Sequence, residues 1–447
     1  MISEDIRKRV IKIVDQKRDE IVKFAQELVR TPSVTGNEGA VQKITARKLE
    51  GLGLKMDVFD IDIEALSKHP GFVPLEEYRK SYRGRPNVVG TLKGTGGGRS
   101  LILNGHVDTV PVEDKSKWKH DPWGAEIEDG RLYGRGALDM KGGVAAIDMA
   151  VECVLETGVS VKGDVIVENV IEEEAGGNGS IACAQRGYRA DAGIIAEPSG
   201  STISISNRGA QYFRITVPGK ADFLEVKWGT PNAIEKAMLI YDAVDKFSLM
   251  RQQEVVHLPS YKFYHVDPEK IADPSLAAMA RLLVENPVPL GICKVKCGTW
   301  PSSLPDVCIM EGSIECLPGE DIKVVRERFR EYIDRVAKSD PWLRKHPPKI
   351  EWFGLWLEPS LTDPKHPIIS TLKRNFKEIT NAEPAVVGGG GSDLRCLTKY
   401  AETPSVVFGG GTGGGAHGND EYIEIDSLIQ STKIIALTIL DWCGYSL

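Results

Sequence analysis

A chain of 447 residues is longer than one ordinary hydrophobic core supports, so two domains are expected. Hydrophobic residues make up 41% and charged residues 27%, the balance of a globular, water-facing protein. The net charge of -7 argues against a nucleic-acid or anionic-membrane partner, and no apolar run approaches the length of a membrane span.

The N-terminus, MISEDIRKRVIKIVDQKRDE, is charged throughout and lacks a signal-peptide core. The eight cysteines include no C-x-x-C pair and read as buried free thiols in a reducing compartment. A cytoplasmic location is therefore expected.

In chain order, residues 4–30 carry apolar positions at helical spacing and predict one or two amphipathic helices. A further helix is expected over 38–52, closed by Gly53, and strands over 55–61 and 87–92. Residues 65–86 are polar and proline-bearing and read as a surface excursion. The glycine-rich run 94–98 lacks the Lys-Ser/Thr of a phosphate loop and reads as a hairpin turn. Leu101-Ile102-Leu103 is a buried strand. From there helix and strand alternate: helix 144–156, strand 164–170, helix 180–186, strand 192–196. That order predicts a mostly parallel sheet covered on both faces.

The pattern changes near Asn207. Residues 211–217 alternate like a strand with one solvated face, followed by a helix over 232–247, strands over 292–297 and 308–316, a helix over 321–337 and a strand over 350–355. The order β-α-β-β-α-β is that of a ferredoxin-like unit. It forms an inserted domain of about 150 residues. The expected boundaries are 1–207 and 358–447 for a discontinuous catalytic domain and 208–357 for the insertion. Helices over 367–380 and 427–442 and a strand over 406–408 complete the outer domain.

Several apolar runs end in residues with ligand chemistry. His106 and Asp108, spaced H-x-D, follow the strand at 101–103 and can face one site, because alternate residues of an extended segment point the same way. Asp139 lies at a turn into an alanine-rich helix. Glu172-Glu173-Glu174 follow the strand at 164–170, Glu197 follows 193–195, and His417 follows a glycine-rich loop. Taken singly, each is as readily a turn former or a solvated loop. Together they offer imidazole and carboxylate donors, the chemistry of zinc and also of manganese or cobalt.

The motifs GHVDTVP, GRGALDMKGG, EEEAGGNGS, AEPSG and AHGNDEY, in that order, resemble those of the M20 metallopeptidase and amidohydrolase family, the group that includes acetylornithine deacetylase, succinyl-diaminopimelate desuccinylase, aminoacylase-1 and glutamate carboxypeptidase. The resemblance implies a zinc-peptidase-like catalytic domain with an inserted lid and dimerisation domain, a homodimer, and two divalent metal ions, with zinc expected and cobalt or manganese as alternatives. It implies His106, Asp139, Glu174, Glu197 and His417 as metal ligands, with Asp139 bridging and its peptide bond to Met140 cis. Asp108 is implied as the carboxylate that orients His106, and Glu173 as the general base. Gly176 and Gly179 set the register of the three glutamates.

Substrate contacts follow the resemblance less closely. Arg395, in Ser392-Asp393-Leu394-Arg395, stands where a substrate carboxylate could be clamped, although a structural salt bridge fits equally well. The loop 409–415 offers either backbone N–H groups for an oxyanion or a simple approach to His417. In the inserted domain Phe223 stands where many members carry a histidine, with Asn232 fixing the register, and Ser303 and Glu315 stand where some carry Asn and Arg. His257 and His265 are the candidate replacements.

The expected activity is hydrolysis of an amide bond in a small molecule, of the deacylase type. A dipeptidase or carboxypeptidase, a specialised aryl-amide, carbamoyl or amidine hydrolase, and a binding protein retaining the fold remain open.

Overall fold

The first two helices are separated by one residue. Ser3 caps α1 (Glu4–Gln16), its Oγ accepting from the Ile6 amide at 3.4 Å, and α2 (Arg18–Arg30) follows Lys17. Lys17 ends the first helix and ion-pairs with Glu152 at 2.8 Å. Both helices bury an apolar stripe, Val10 and Val14 in α1 and Ile21, Ala25 and Leu28 in α2, as the spacing predicts.

The computed structural model describes residues 2–74, 81–200, 202–264 and 286–447, with isolated residues between 267 and 281. It divides into two units. The first comprises residues 1–206, 267–280 and 360–447, and the second residues 207–266 and 281–359.

In the first unit, α3 (Gly39–Gly51) leads to β1 (Lys55–Phe59), β2 (Asn87–Leu92) and β3 (Leu101–His106). Then come α4 (Gly142–Glu156), β4 (Val165–Val170), α5 (Asn178–Gln185), β5 (Ala192–Ile195) and β6 (Thr202–Asn207). The second unit contributes β7 (Gly209–Pro218), α6 (Ala233–Glu254), β8 (Leu290–Cys297), β9 (Val307–Cys316), α7 (Ile322–Ala337) and β10 (Lys349–Leu357). The chain returns to the first unit with α8 (Pro367–Thr380), β11 (Ala385–Gly389), β12 (Ser405–Val407) and α9 (Ile425–Cys443).

The central sheet of the first unit runs β1-β2-β4-β3-β5-β12-β6 and ends on the short strand Ser360–Leu361, with β11 also paired to β6. Its middle is parallel, β4 and β5 on either side of β3 and β12 beside β5. The flanks are antiparallel. β3, β4 and β5 are buried along their whole length, the near-continuous apolar runs expected of strands covered on both faces.

Two sequence expectations fail here. The run 94–98 is not a hairpin turn. β4 lies between β2 and β3, so the loop crosses the sheet's end, where the Thr95 and Gly96 amides donate to the carbonyls of Val161 and Lys162. Nor is 65–86 wholly a surface excursion. Among its described residues Val73, Tyr82 and Arg85 are buried, and Arg85 Nη1 donates to Glu38 Oε2 at 2.9 Å.

The main sheet of the second unit is antiparallel in the order β8-β9-β7-β10, the ferredoxin-like arrangement. Asn232 caps α6, its Oδ1 accepting from the Ile234 amide at 2.9 Å, and Asp321 caps α7. Phe213, Ile215 and Val217 of β7 pack with Ile240, Val244 and Phe247 of α6 and Phe329 and Ile333 of α7. Cys297 and Cys308 face each other across β8 and β9. All eight cysteines are free. No helix among the described residues is long and apolar enough to cross a membrane.

Candidate metal centre

Five segments at the carboxyl edge of the first unit's sheet converge. His106 is the last residue of β3 and is buried. Its Nδ1 lies 2.9 Å from the carbonyl of Asp108, and since a carbonyl only accepts, that nitrogen carries the proton. Nε2 is left to face the acids: Asp139 Oδ1 at 3.2 Å, Glu197 Oε1 at 3.4 Å and Glu173 Oε2 at 3.9 Å.

Asp139 sits in a π-type turn, Ala137–Lys141, ahead of α4, and its peptide bond to Met140 is cis. Its two oxygens face opposite ways, Oδ1 toward His106 and Oδ2 toward His417 Nε2 at 3.3 Å. His417 Nε2 is also 3.0 Å from Glu174 Oε2. Potential ligand atoms thus fall into overlapping groups, His106 with Glu173 and Glu197, and His106 with Asp139 and Glu174.

The carboxylate of Asp108 does more than face the imidazole, which it approaches at 3.5 Å. Oδ1 accepts from the Glu173 amide at 3.1 Å, and Oδ2 from the Glu174 amide at 3.3 Å and from Thr35 Oγ1 at 2.9 Å. One buried aspartate therefore braces the turn that carries both glutamates.

The loop 409–411 is buried against the segment bearing Glu197. A Cβ on Gly409 would stand 2.8 Å from Ala196 Cα, and one on Gly410 2.9 Å from Pro198 N. The Gly409 and Thr412 amides donate to Ser199 Oγ and Ser427 Oγ. These glycines permit close packing at left-handed backbone angles. The oxyanion reading of this loop loses both amides, which are already hydrogen-bonded.

The electrostatics follow from burying acids together. Burial, then the charge of Glu197, pushes the Glu173 carboxyl well above its usual range. Burial lifts Glu197 to about 7 against the pull of His106, and burial with the charge of Asp139 raises Glu174. Asp139 moves down, because its hydrogen bonds with His106 and His417 outweigh the burial that would raise it. Burial would lower His106, yet the charge of Glu197 and its bonds with Asp108 and Asp139 hold it well above its ordinary value. Hydrogen bonds with Asp139 and Glu174 lift His417 to about 10. Buried carboxylates that repel one another, with two imidazoles among them, fit divalent cations in both charge and donor type.

Residues 102–441 match the model of Peptidase family M20/M25/M40. The chain belongs to this family. It is similar to N-formyl-4-amino-5-aminomethyl-2-methylpyrimidine deformylase of Bacillus subtilis (strain 168), 29% identical with 97% of each chain covered. It is also similar to succinyl-diaminopimelate desuccinylase of Gluconobacter oxydans (strain 621H), 26% identical over 92% of this chain and 95% of that one. Among solved structures, an M20 metallo-carboxypeptidase of Sulfolobus solfataricus shares the fold with a TM-score of 0.73 at 19% identity, covering 94% and 98% of the two chains. This M20 protein is an enzyme, a metal-dependent hydrolase of amide bonds, and dinuclear metal binding is a property of its family.

The residues expected at the substrate have the following surroundings. Arg395 has no exposed surface. Its guanidinium donates to the carbonyls of Gly176 at 2.6 Å and Gly71 at 3.5 Å, so it braces the glutamate turn and presents no fork to a substrate. Asn232 spends its side-chain oxygen on the α6 cap. Phe223 is well exposed on the second unit, paired across a short ladder with Ser303. Glu315 ion-pairs with Arg208 at 2.8 Å. His257 is exposed beyond the end of α6, and His265 lies outside the described residues.

The sequence reading passed over Thr35, Arg135 and Glu421. Glu421 falls inside the motif AHGNDEY, but a glutamate after two polar loop residues gives no local sign that its partners lie near residue 136.

Proposed function

We propose that His106, Asp139 and Glu197 hold one divalent ion and Asp139, Glu174 and His417 a second, with Asp139 bridging. The two-way orientation of the Asp139 carboxylate, between His106 and His417, carries this reading. Zinc suits the nitrogen and oxygen donors, and cobalt or manganese are the alternatives. Divalent ions bound by these residues would supply Lewis-acid polarisation of a carbonyl and lower the pKa of a water.

Glu173 is the general base in this reading. Its carboxylate is half-buried beside His106 but makes no bond as short as those of the proposed ligands. It takes the proton of the attacking water and returns it to the leaving amine. Asp108 fixes Glu173 and Glu174 through their amides, so the base is held in place before substrate arrives.

The substrate is read as an N-acyl amine with a small acyl group and no carboxylate beside the amide. Phe223, Ser303 and Glu315 supply no cation for a carboxylate, and Arg395 is buried in backbone contacts. The full-length similarity to the pyrimidine deformylase agrees with that chemistry. The protein is further read as a cytoplasmic homodimer joined through the second unit. β8 is the outer strand of its sheet, and Val295 on it and Met238 on α6 are exposed.

Turnover with Zn²⁺, Co²⁺ or Mn²⁺ on an N-formyl aminomethylpyrimidine, an N-acetyl amino acid, N-succinyl-diaminopimelate and a dipeptide tests the proposal. The formyl amine should be the best substrate by kcat/KM. A preference for any carboxylate-bearing substrate would overturn the substrate reading.

A further inference from the structure

The side chain of Glu421 is buried, and both of its oxygens are fully engaged. Oε1 accepts from the amides of Leu138 and Asp139, each at 3.0 Å. Oε2 accepts from the Gly136 amide at 3.0 Å and from Arg135 Nη1 at 2.7 Å. A carboxylate offers about four acceptor positions, and all are taken. The carbonyl of Glu421 also accepts from the Gly134 amide at 2.8 Å. The turn that presents Asp139 is thus laced along its length to one residue.

The second arm runs back toward His417. Arg135 Nη2 donates to the carbonyl of Gly418 at 2.8 Å, and Glu421 itself follows His417 by four residues. Arg135 is buried, with its guanidinium over the Trp118 ring at 5.1 Å. From one carboxylate, then, a bond reaches the amide of Asp139 and, through Arg135, the carbonyl next to His417. His106 and Glu197 come from the ends of β3 and β5 and have no bond to this pair among those of the described residues.

We propose that Glu421, acting with Arg135, is a positioning residue that sets the spacing of Asp139 and His417 and so tunes the ion subsite of Asp139, Glu174 and His417 selectively. The inference rests on the ligand assignment proposed above. A purely structural brace would affect both subsites alike, or neither, once the protein is folded. A positioning role predicts unequal loss, because only one subsite draws two ligands from the segments that Glu421 ties together.

The test is titration of metal-stripped full-length protein with Zn²⁺, read by equilibrium dialysis, and with Co²⁺, read by its visible absorption. Wild type should bind two ions. Glu421→Gln keeps the shape but turns an N–H donor onto the donors of the turn. One ion should then bind about 10–100-fold more weakly, the usual effect of losing a partner that orients a ligand, while the other stays within a few-fold of wild type. Arg135→Lys retains the main-chain bonds and should give a smaller loss at the same subsite. Unchanged affinity at both subsites in Glu421→Gln, or equal loss at both, overturns the inference. If Glu421→Gln does not fold, Arg135→Lys decides, and wild-type affinity at both of its subsites overturns it. Binding of a single ion by wild type would instead overturn the ligand assignment itself, and the inference with it.

Discussion

At the scale of single residues, Glu173 and Glu174 are neighbours in sequence with different surroundings. Glu174 lies 3.0 Å from His417, whereas Glu173 comes no nearer than 3.9 Å to His106. Glu173→Gln should retain both ions and lose turnover by about 10²–10⁴-fold, the usual worth of a general base. Glu174→Gln should bind an ion more weakly in dialysis. The opposite pairing of effects would move the assignment by one residue. Asp148, on the buried face of α4, supplies a pH prediction. Burial lifts its carboxyl to about 7 from an ordinary 3.8, against the bonds from Asn169 Nδ2. A raised acid favours the folded state in its neutral form. Its contribution is therefore full below pH ~4 and is lost as pH rises through about 7. Asp148→Asn keeps an acceptor for Asn169 and removes the charge. Denaturant melts should show the variant matching wild type near pH 4 and exceeding it at pH 8, by on the order of 2–4 kcal/mol. A constant difference across that range would show that Asp148 does not titrate as described.

At the scale of elements, the site depends on how closely α4 approaches the end of β5. Gly143, in the first turn of α4, leaves no room for a side chain: a Cβ there would lie 1.9 Å from the carbonyl oxygen of Ala196, the residue before Glu197. Gly143→Ala must therefore move either the helix or the Glu197 segment. Such overpacking costs about 1–3 kcal/mol, seen as a lower Tm, and should weaken ion binding through Glu197. Wild-type stability and ion affinity together would show that the helix can shift without cost. The element-level reading was otherwise close to the sequence. Both long N-terminal helices, the alternation after β3 and the β-α-β-β-α-β order of the second unit are legible from apolar spacing, because burial on one face imposes periods of 3.6 and 2. The exceptions are strands such as β6 and β11, where few residues carry any period.

At the scale of the whole molecule, an outer strand is the element most available for pairing with another copy. β8 has an exposed stretch from Cys293 to Lys296, and Val295 on it pairs inward only with β9. Placing a charge on such an edge blocks strand addition. Val295→Lys should shift the protein from dimer to monomer in sedimentation velocity, with an unchanged far-UV spectrum. A variant that stays dimeric would remove this edge from the proposed interface. The change in strand pattern near Asn207 and its return near Pro359 are the sequence signals for an inserted segment. The ranges of the two structural units lie close to those positions.

Sequence alone singled out the candidate residues for the chemistry and the elements that carry them. Motif spacing and apolar period are local properties, written within a few turns of helix or one strand. Tertiary structure decided which strands are neighbours, since buried runs such as β2, β3 and β4 look alike and nothing within them says that β4 separates the other two. It also decided what the polar groups bond. Arg395 reaches Gly176 and Glu421 reaches Leu138 across hundreds of residues, so the same side chains that read as substrate contacts or loop polarity become braces. A buried donor or acceptor must find a partner, but the chain's path, set by the packing of the whole sheet, determines which one.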